Sequence, residues 1–204
     1  CNATSCFLAY ASAGRIRGLR VDATGSILDA VPFDLGAESQ VQSIAAYDDG
    51  AGVVVAWSDR SGSPYAVYAR RISNAGVLAG AAPLTLTPAV SGSADVSVSG
   101  FGGTTVVAWD DVTSSTIGRI QGSRLDATGA LLDATPVTLI DAANSAESIP
   151  RLVSRSGDIV MMFRQSNALY AAPVATTPAL VLGTKVTLAN FLSGTMAAMS
   201  AATD

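Results

Sequence analysis

The sequence of 204 residues contains no histidine and a single lysine, Lys185. Without imidazole the commonest general base and the commonest metal ligand are both missing, which excludes histidine-dependent triads and histidine-rich metal sites. Charge is sparse as well: 14% of residues are charged, twelve basic against sixteen acidic, for a net charge of −4. With no basic stripe the chain lacks the electrostatic footprint of a nucleic-acid binder. Apolar residues make up 49%, yet no apolar run approaches the roughly 20 residues that a transmembrane helix needs. No motif calls for a cofactor.

The bulk of the chain is Ala, Val, Ser, Thr and Gly, a composition of strands and tight turns rather than exposed helices. Its length suits one sizeable core. The two cysteines, Cys1 and Cys6, flank a turn-like CNATSC, and a disulfide pinning a hairpin is expected. A bridge implies an oxidising compartment, hence a secreted or surface setting. A lipid-modified Cys1 is the alternative. Asn2-Ala3-Thr4 is formally a glycosylation sequon, but it lies within that short loop.

The dominant feature is internal repetition. VVVAWSD at Val53–Asp59 returns as TVVAWDD at Thr105–Asp111, about 50 residues on, and CFLAY ending at Tyr10 and IVMMF ending at Phe163 are further copies. RVDATGSILD (Arg20–Asp29), RISNAGVLAG (Arg71–Gly80) and RLDATGALLD (Arg124–Asp133) repeat a hairpin. Its glycine stands where a positive φ is wanted, and Asp or Asn bonds the backbone locally. Short apolar strands follow: PFDL, PLTL, PVTL and KVTL. Each unit reads as a meander of four strands, and a repeated four-strand meander is the signature of a propeller blade.

The expectation is an all-β chain forming one β-propeller domain over 1–204, of four blades with four antiparallel strands each. The approximate units are 195–204 plus 1–36, then 40–87, 92–140 and 146–189. Thr195–Ala201 has the look of a first strand and Cys6–Tyr10 of a second, so their pairing would close the ring and remove two exposed edges. A segment of a larger ring, or two chains sharing one, is the alternative. Tyr10, Trp57, Trp109 and Phe163 are expected as equivalent core residues filling the gaps between sheets.

With these motifs laid out, the chain resembles bacterial extracellular β-propeller repeats of the Cys-x4-Cys-Leu-Val-Val-Trp type, followed by an Arg-Val-Asp-x-x-Gly-x-x-Leu-Asp hairpin. CNATSCFLAY with RVDATGSILD, VVVAW with RISNAGVLAG, and TVVAW with RLDATGALLD carry the likeness. It loosens from Arg151 to Gly183, where Phe163 replaces the tryptophan and Pro173 stands in place of the arginine. The resemblance implies a large surface or secreted protein with no assigned reaction.

Arg20, Arg71 and Arg124 recur at one position, beside small and apolar residues on the same strand face. They are read as structural, each pairing with a nearby acid, against the alternative of a ring gripping an anionic ligand. Asp48, Asp49, Asp22, Asp29, Asp126 and Asp133 bracket turns. Asp59, Arg60, Asp110 and Asp111 close the second strands and are the weak candidates for a ligand-binding face. Calcium would need six to eight converging oxygens, and no such spacing occurs. A glycosidase would need acids unique to individual blades; Glu38, Glu147 and Asp158 qualify, but nothing in the sequence makes them converge. The expected function is therefore a non-catalytic extracellular module for adhesion, protein contact or fibre assembly. Its partners would be protein or glycan at a surface, with self-association into a larger ring or fibre. The alternative is a carbohydrate-binding or glycoside-hydrolase-like propeller with an unrecognised acid pair.

Overall fold

Strand pairing follows the repeat. The computed structural model describes residues 5–38, 40–62, 64–90, 95–114, 117–142, 147–155 and 157–190. Sheet 1 holds β1 (Ser5–Ser12), β2 (Arg15–Asp22) and β3 (Phe33–Ala37). Sheet 2 holds β4 (Val41–Asp48), β5 (Gly52–Asp59), β6 (Tyr65–Ser73) and β7 (Leu84–Val90). Sheet 3 holds β8 (Val96–Phe101), β9 (Thr104–Ser114), β10 (Ile117–Leu125) and β11 (Val137–Ala142). Sheet 4 holds β12 (Glu147–Arg155), β13 (Asp158–Gln165), β14 (Ala168–Ala175), β15 (Val181–Leu182) and β16 (Val186–Asn190). All pairs are antiparallel, so the chain is all-β in four meandering sheets.

Two sheets depart from four strands each. Sheet 1 shows three among the described residues; Thr195–Ala201, expected as its inner strand, lies outside them, as does Cys1. In sheet 4, β15 is an extended form of a contact present in every unit. Val21–Ile27, Ile72–Leu78 and Leu125–Leu131 bridge singly across their hairpins, where Val174–Leu182 and Ala175–Val181 bridge doubly.

The continuous apolar runs exist because the central strands bury both faces. Alternate residues of one strand point to opposite neighbours. Val53, Val55 and Trp57 pack with Ile16 and Leu35 between sheets 1 and 2. Val54 and Ala56 meet Val107 and Trp109 between sheets 2 and 3. Val106 and Ala108 meet Met161 and Phe163 between sheets 3 and 4. Trp57, Trp109 and Phe163 are each fully buried, one in each gap. Space is tight: a Cβ on Gly18 would sit 2.2 Å from the Phe7 ring.

Tyr10 differs. It is only half-buried, and Leu8, on the same strand face, is 50% exposed. By the alternation above, that face of β1 points away from sheet 2. Among the described residues no sheet encloses it, and the four sheets are not closed into a ring by those residues.

The inner strands are clipped side by side. Val96 N donates to Ser43 Oγ at 3.1 Å and Leu152 N to Ser97 Oγ at 2.9 Å. Tyr47 Oη donates to Gly100 O at 2.7 Å, with Ser154 of β12 also in reach of its hydroxyl. One residue of sheet 2 thus meets both later inner strands, which requires the sheets to curve about a common axis.

The recurring arginines join neighbouring hairpins. Arg20 binds Asp29 (Nη2–Oδ1 2.5 Å) while its Nη1 donates to Asn74 O in sheet 2 at 2.6 Å. Arg124 binds Asp133 at 2.6 Å and donates to Thr176 O in sheet 4 at 2.5 Å. Each arginine holds its aspartate below the usual carboxylate range. In sheet 2 the aspartate position is Gly80, and Arg71 turns instead to Asp49, at 2.6 Å. Removing Arg124 would strand Asp133, whose side chain is 9% exposed, and free two carbonyls. Arg124→Met should therefore cost about 3 kcal/mol in urea unfolding, with much of it restored by adding Asp133→Leu. A single variant as stable as wild type would contradict this clasp.

Candidate functional site

The meander divides the loops between two rims. The hairpins with their arginines, and the turns after β4, β8 and β12, lie on one rim. The sheet-to-sheet connections and the ends of β5, β9 and β13 lie on the other, here called the carboxylate rim. Glu38 leads from sheet 1 into β4, tied by its N–H to Gly14 O at 2.9 Å. Asp59 ends β5. Both reach the same rim, and their side chains hydrogen-bond each other.

The two acids are driven apart. Burial, followed by the hydrogen bond and charge of Asp59, pushes the Glu38 carboxyl up to about 7. The Trp57 indole lies near enough to favour the ionised form, yet makes no hydrogen bond of normal geometry. Burial also acts on Asp59, but Glu38, the Ser61 hydroxyl and the N–H groups of Ser61 (3.0 Å) and Gln40 (3.2 Å) outweigh it and hold Asp59 low. Near neutrality the pair shares one proton, residing on Glu38. A half-buried acid that keeps its proton up to about pH 7 can serve as a proton donor.

The other sequence candidates are placed as follows. Arg60 is exposed, its guanidinium 5.0 Å from the centre of the Tyr65 ring. Asp59 and Asp111 are each 6% exposed, and Asp110 is fully enclosed, so Asp110 cannot touch a ligand as expected of a binding-face residue. Its Oδ1 accepts the Asp95 N–H at 2.5 Å while Oδ2 has no partner. Asp158 opens β13 on the opposite rim, and the side chain of Glu147 lies outside the described residues. Asp158 therefore does not converge with Glu38. The relevant partner of Glu38 is Asp59, assigned by sequence to a strand end. Among the described residues no group of three or more His, Cys, Asp or Glu could hold a metal.

Asp110 has a consequence for stability. Burial, against the Asp95 N–H and together with the Asp95 charge, raises it to about 7. Between its ordinary value and 7 the native state binds the extra proton, so its contribution is present below about pH 4 and lost as pH rises through 7. Relative to Asp110→Asn, wild type should lose on the order of 3 kcal/mol between pH 4 and pH 8. Parallel stability curves for the two proteins would contradict this burial.

No protein-family model matches the chain, and no curated protein matches it. Similar solved structures exist. A neuraminidase-like protein of A/little yellow-shouldered bat/Guatemala aligns at TM-score 0.60 and 11% identity, over 89% of this chain and 56% of that one. A chain of a nidogen/laminin complex aligns at TM-score 0.51 and 16% identity, over 94% and 64%. A thermostable family-43 glycoside hydrolase aligns at 0.53 and 10%, over 89% and 69%. The chain thus spans less than two thirds of the first two. At these identities the likeness shows the fold: an all-β chain of propeller type. The expectation that the chain is no enzyme is overturned, since a glycoside hydrolase stands among the proteins of this architecture. That expectation rested on finding no acids that converge, and a carboxyl pair formed between two sheets leaves no local trace in a sequence. The likenesses fit the carbohydrate-directed alternative in part.

Proposed function

We propose that the chain is a carbohydrate-directed β-propeller of the glycoside-hydrolase kind, with Glu38 as its proton donor and Asp59 as the group that tunes it. The observation that carries this reading is the hydrogen-bonded Glu38–Asp59 pair, with Glu38 raised to about 7. In direct contact the two carboxyls are closer than the roughly 5 Å of a retaining pair, so Asp59 does not serve as nucleophile to the same bond. It keeps Glu38 protonated. The likeness to a family-43 glycoside hydrolase supports the same direction.

The remaining parts of the reading go with it. The four sheets stand as blades of one ring, with Thr195–Ala201 pairing with Cys6–Tyr10 as the inner strand of the first. Cys1 and Cys6 are bridged, and the protein works outside the cell or at its surface, as the likeness to bacterial surface propeller repeats implies.

The test is turnover of a panel of chromogenic aryl glycosides, backed by a glycan array. Hydrolysis is expected, falling as pH rises through about 7 where Glu38 loses its proton. No turnover on any glycoside and no array binding would sink the reading.

A further inference from the structure

At the hairpin rim, opposite Glu38, one aromatic ring stands unexplained by the core. Phe101 ends β8 at 48% exposure and belongs to none of the three core clusters. The next residues, Gly102 (φ +61°) and Gly103 (φ +81°), take left-handed conformations that glycine adopts without strain, making a tight turn that holds the ring at the rim. The equivalent position of sheet 2 is Asp49, whose carboxylate is paired with Arg71.

A cleft lies on each side of this ring. The first, about 230 Å³, is lined by Phe101 with Tyr47, Asp49, Thr104 and Thr105. The second, about 210 Å³, is lined by Phe101 with Asp158, Thr176 and Thr177. A single exposed apolar side chain is ordinary. One that separates two clefts of monosaccharide size, each edged with hydroxyl and carboxylate groups, has the layout of a small-molecule site: an apolar platform and a few polar groups that fix orientation. A pyranose ring offers one face of C–H bonds to an aromatic and a rim of hydroxyls to such groups. Asp158 disfavours an anionic ligand in the second cleft, while Asp49 is already paired with Arg71.

We infer that Phe101 is the platform of a second, non-catalytic site for a neutral pyranose oligosaccharide, with sugar units in both flanking clefts. The inference stands apart from the Glu38 reading, because the site lies on the opposite rim.

The experiment is amide-shift mapping of the whole chain with xylohexaose, cellohexaose and maltohexaose. At least one should shift residues around Phe101, Thr104 and Thr176. Phe101→Ala should weaken that binding at least 10-fold, and Phe101→Trp and Glu38→Gln should leave it intact. Phe101 is half-exposed, so unchanged melting of the alanine variant separates lost binding from lost folding. Three sugars without shifts, shifts confined to the Glu38 rim, or equal binding by Phe101→Ala would overturn the site.

Discussion

Trp109→Ala should destabilise the protein by about 3–5 kcal/mol, the range for truncating a large aromatic in a core. The indole is fully buried between sheets 2 and 3, against Val54, Val67, Val96 and Leu125. The void it leaves cannot readily close, because the Ser43–Val96 and Tyr47–Gly100 hydrogen bonds hold the two inner strands apart at a set spacing. Its Nε1 has no hydrogen-bond partner, so Trp109→Phe should cost clearly less than the alanine change. Urea unfolding of both variants checks this. An alanine variant with an unaltered midpoint would mean that the ring binds a ligand at the surface and does not pack between sheets.

Glu38→Gln should lower glycoside turnover by about 10²–10⁴-fold, the contribution of a positioned general acid. Glutamine preserves shape and can still meet Asp59, so folding should survive while the transferable proton is gone. The pH profile separates this from a structural effect. In wild type the alkaline limb should lie near 7, and in the variant the residual rate should lose that limb. Asp59→Asn should keep the acid but move the limb downward, because Asp59 is what raises Glu38 after burial itself. Turnover of Glu38→Gln equal to wild type would exclude Glu38 as the donor.

The strands and their hairpins were legible because their signals are local. Gly25, Gly76 and Gly129 all have positive φ, and Asp22 and Asp126 cap their turns with the same bonds to Thr24 and Ser26 and to Thr128 and Ala130. Which tryptophan fills which gap follows from strand alternation once the sheets are stacked. The acid pair was not legible, because Glu38 and Asp59 lie in different sheets and meet only when both strand ends reach one rim. The exchange of Asp49 for the missing acid at Gly80 was hidden for the same reason: a partner swap between turns leaves no periodic trace. Tyr10 shows the converse failure. It copies the tryptophan position faithfully in sequence, yet its burial depends on a sheet that the described residues do not place beside it.

The most direct test needs no substrate: a pH titration of the Glu38 side-chain carboxyl by ¹³C NMR, in wild type and in Asp59→Asn. The account predicts a midpoint near 7 that falls when Asp59 is neutralised. A midpoint near the ordinary glutamate value of about 4.3 in wild type, unmoved by Asp59→Asn, would contradict it.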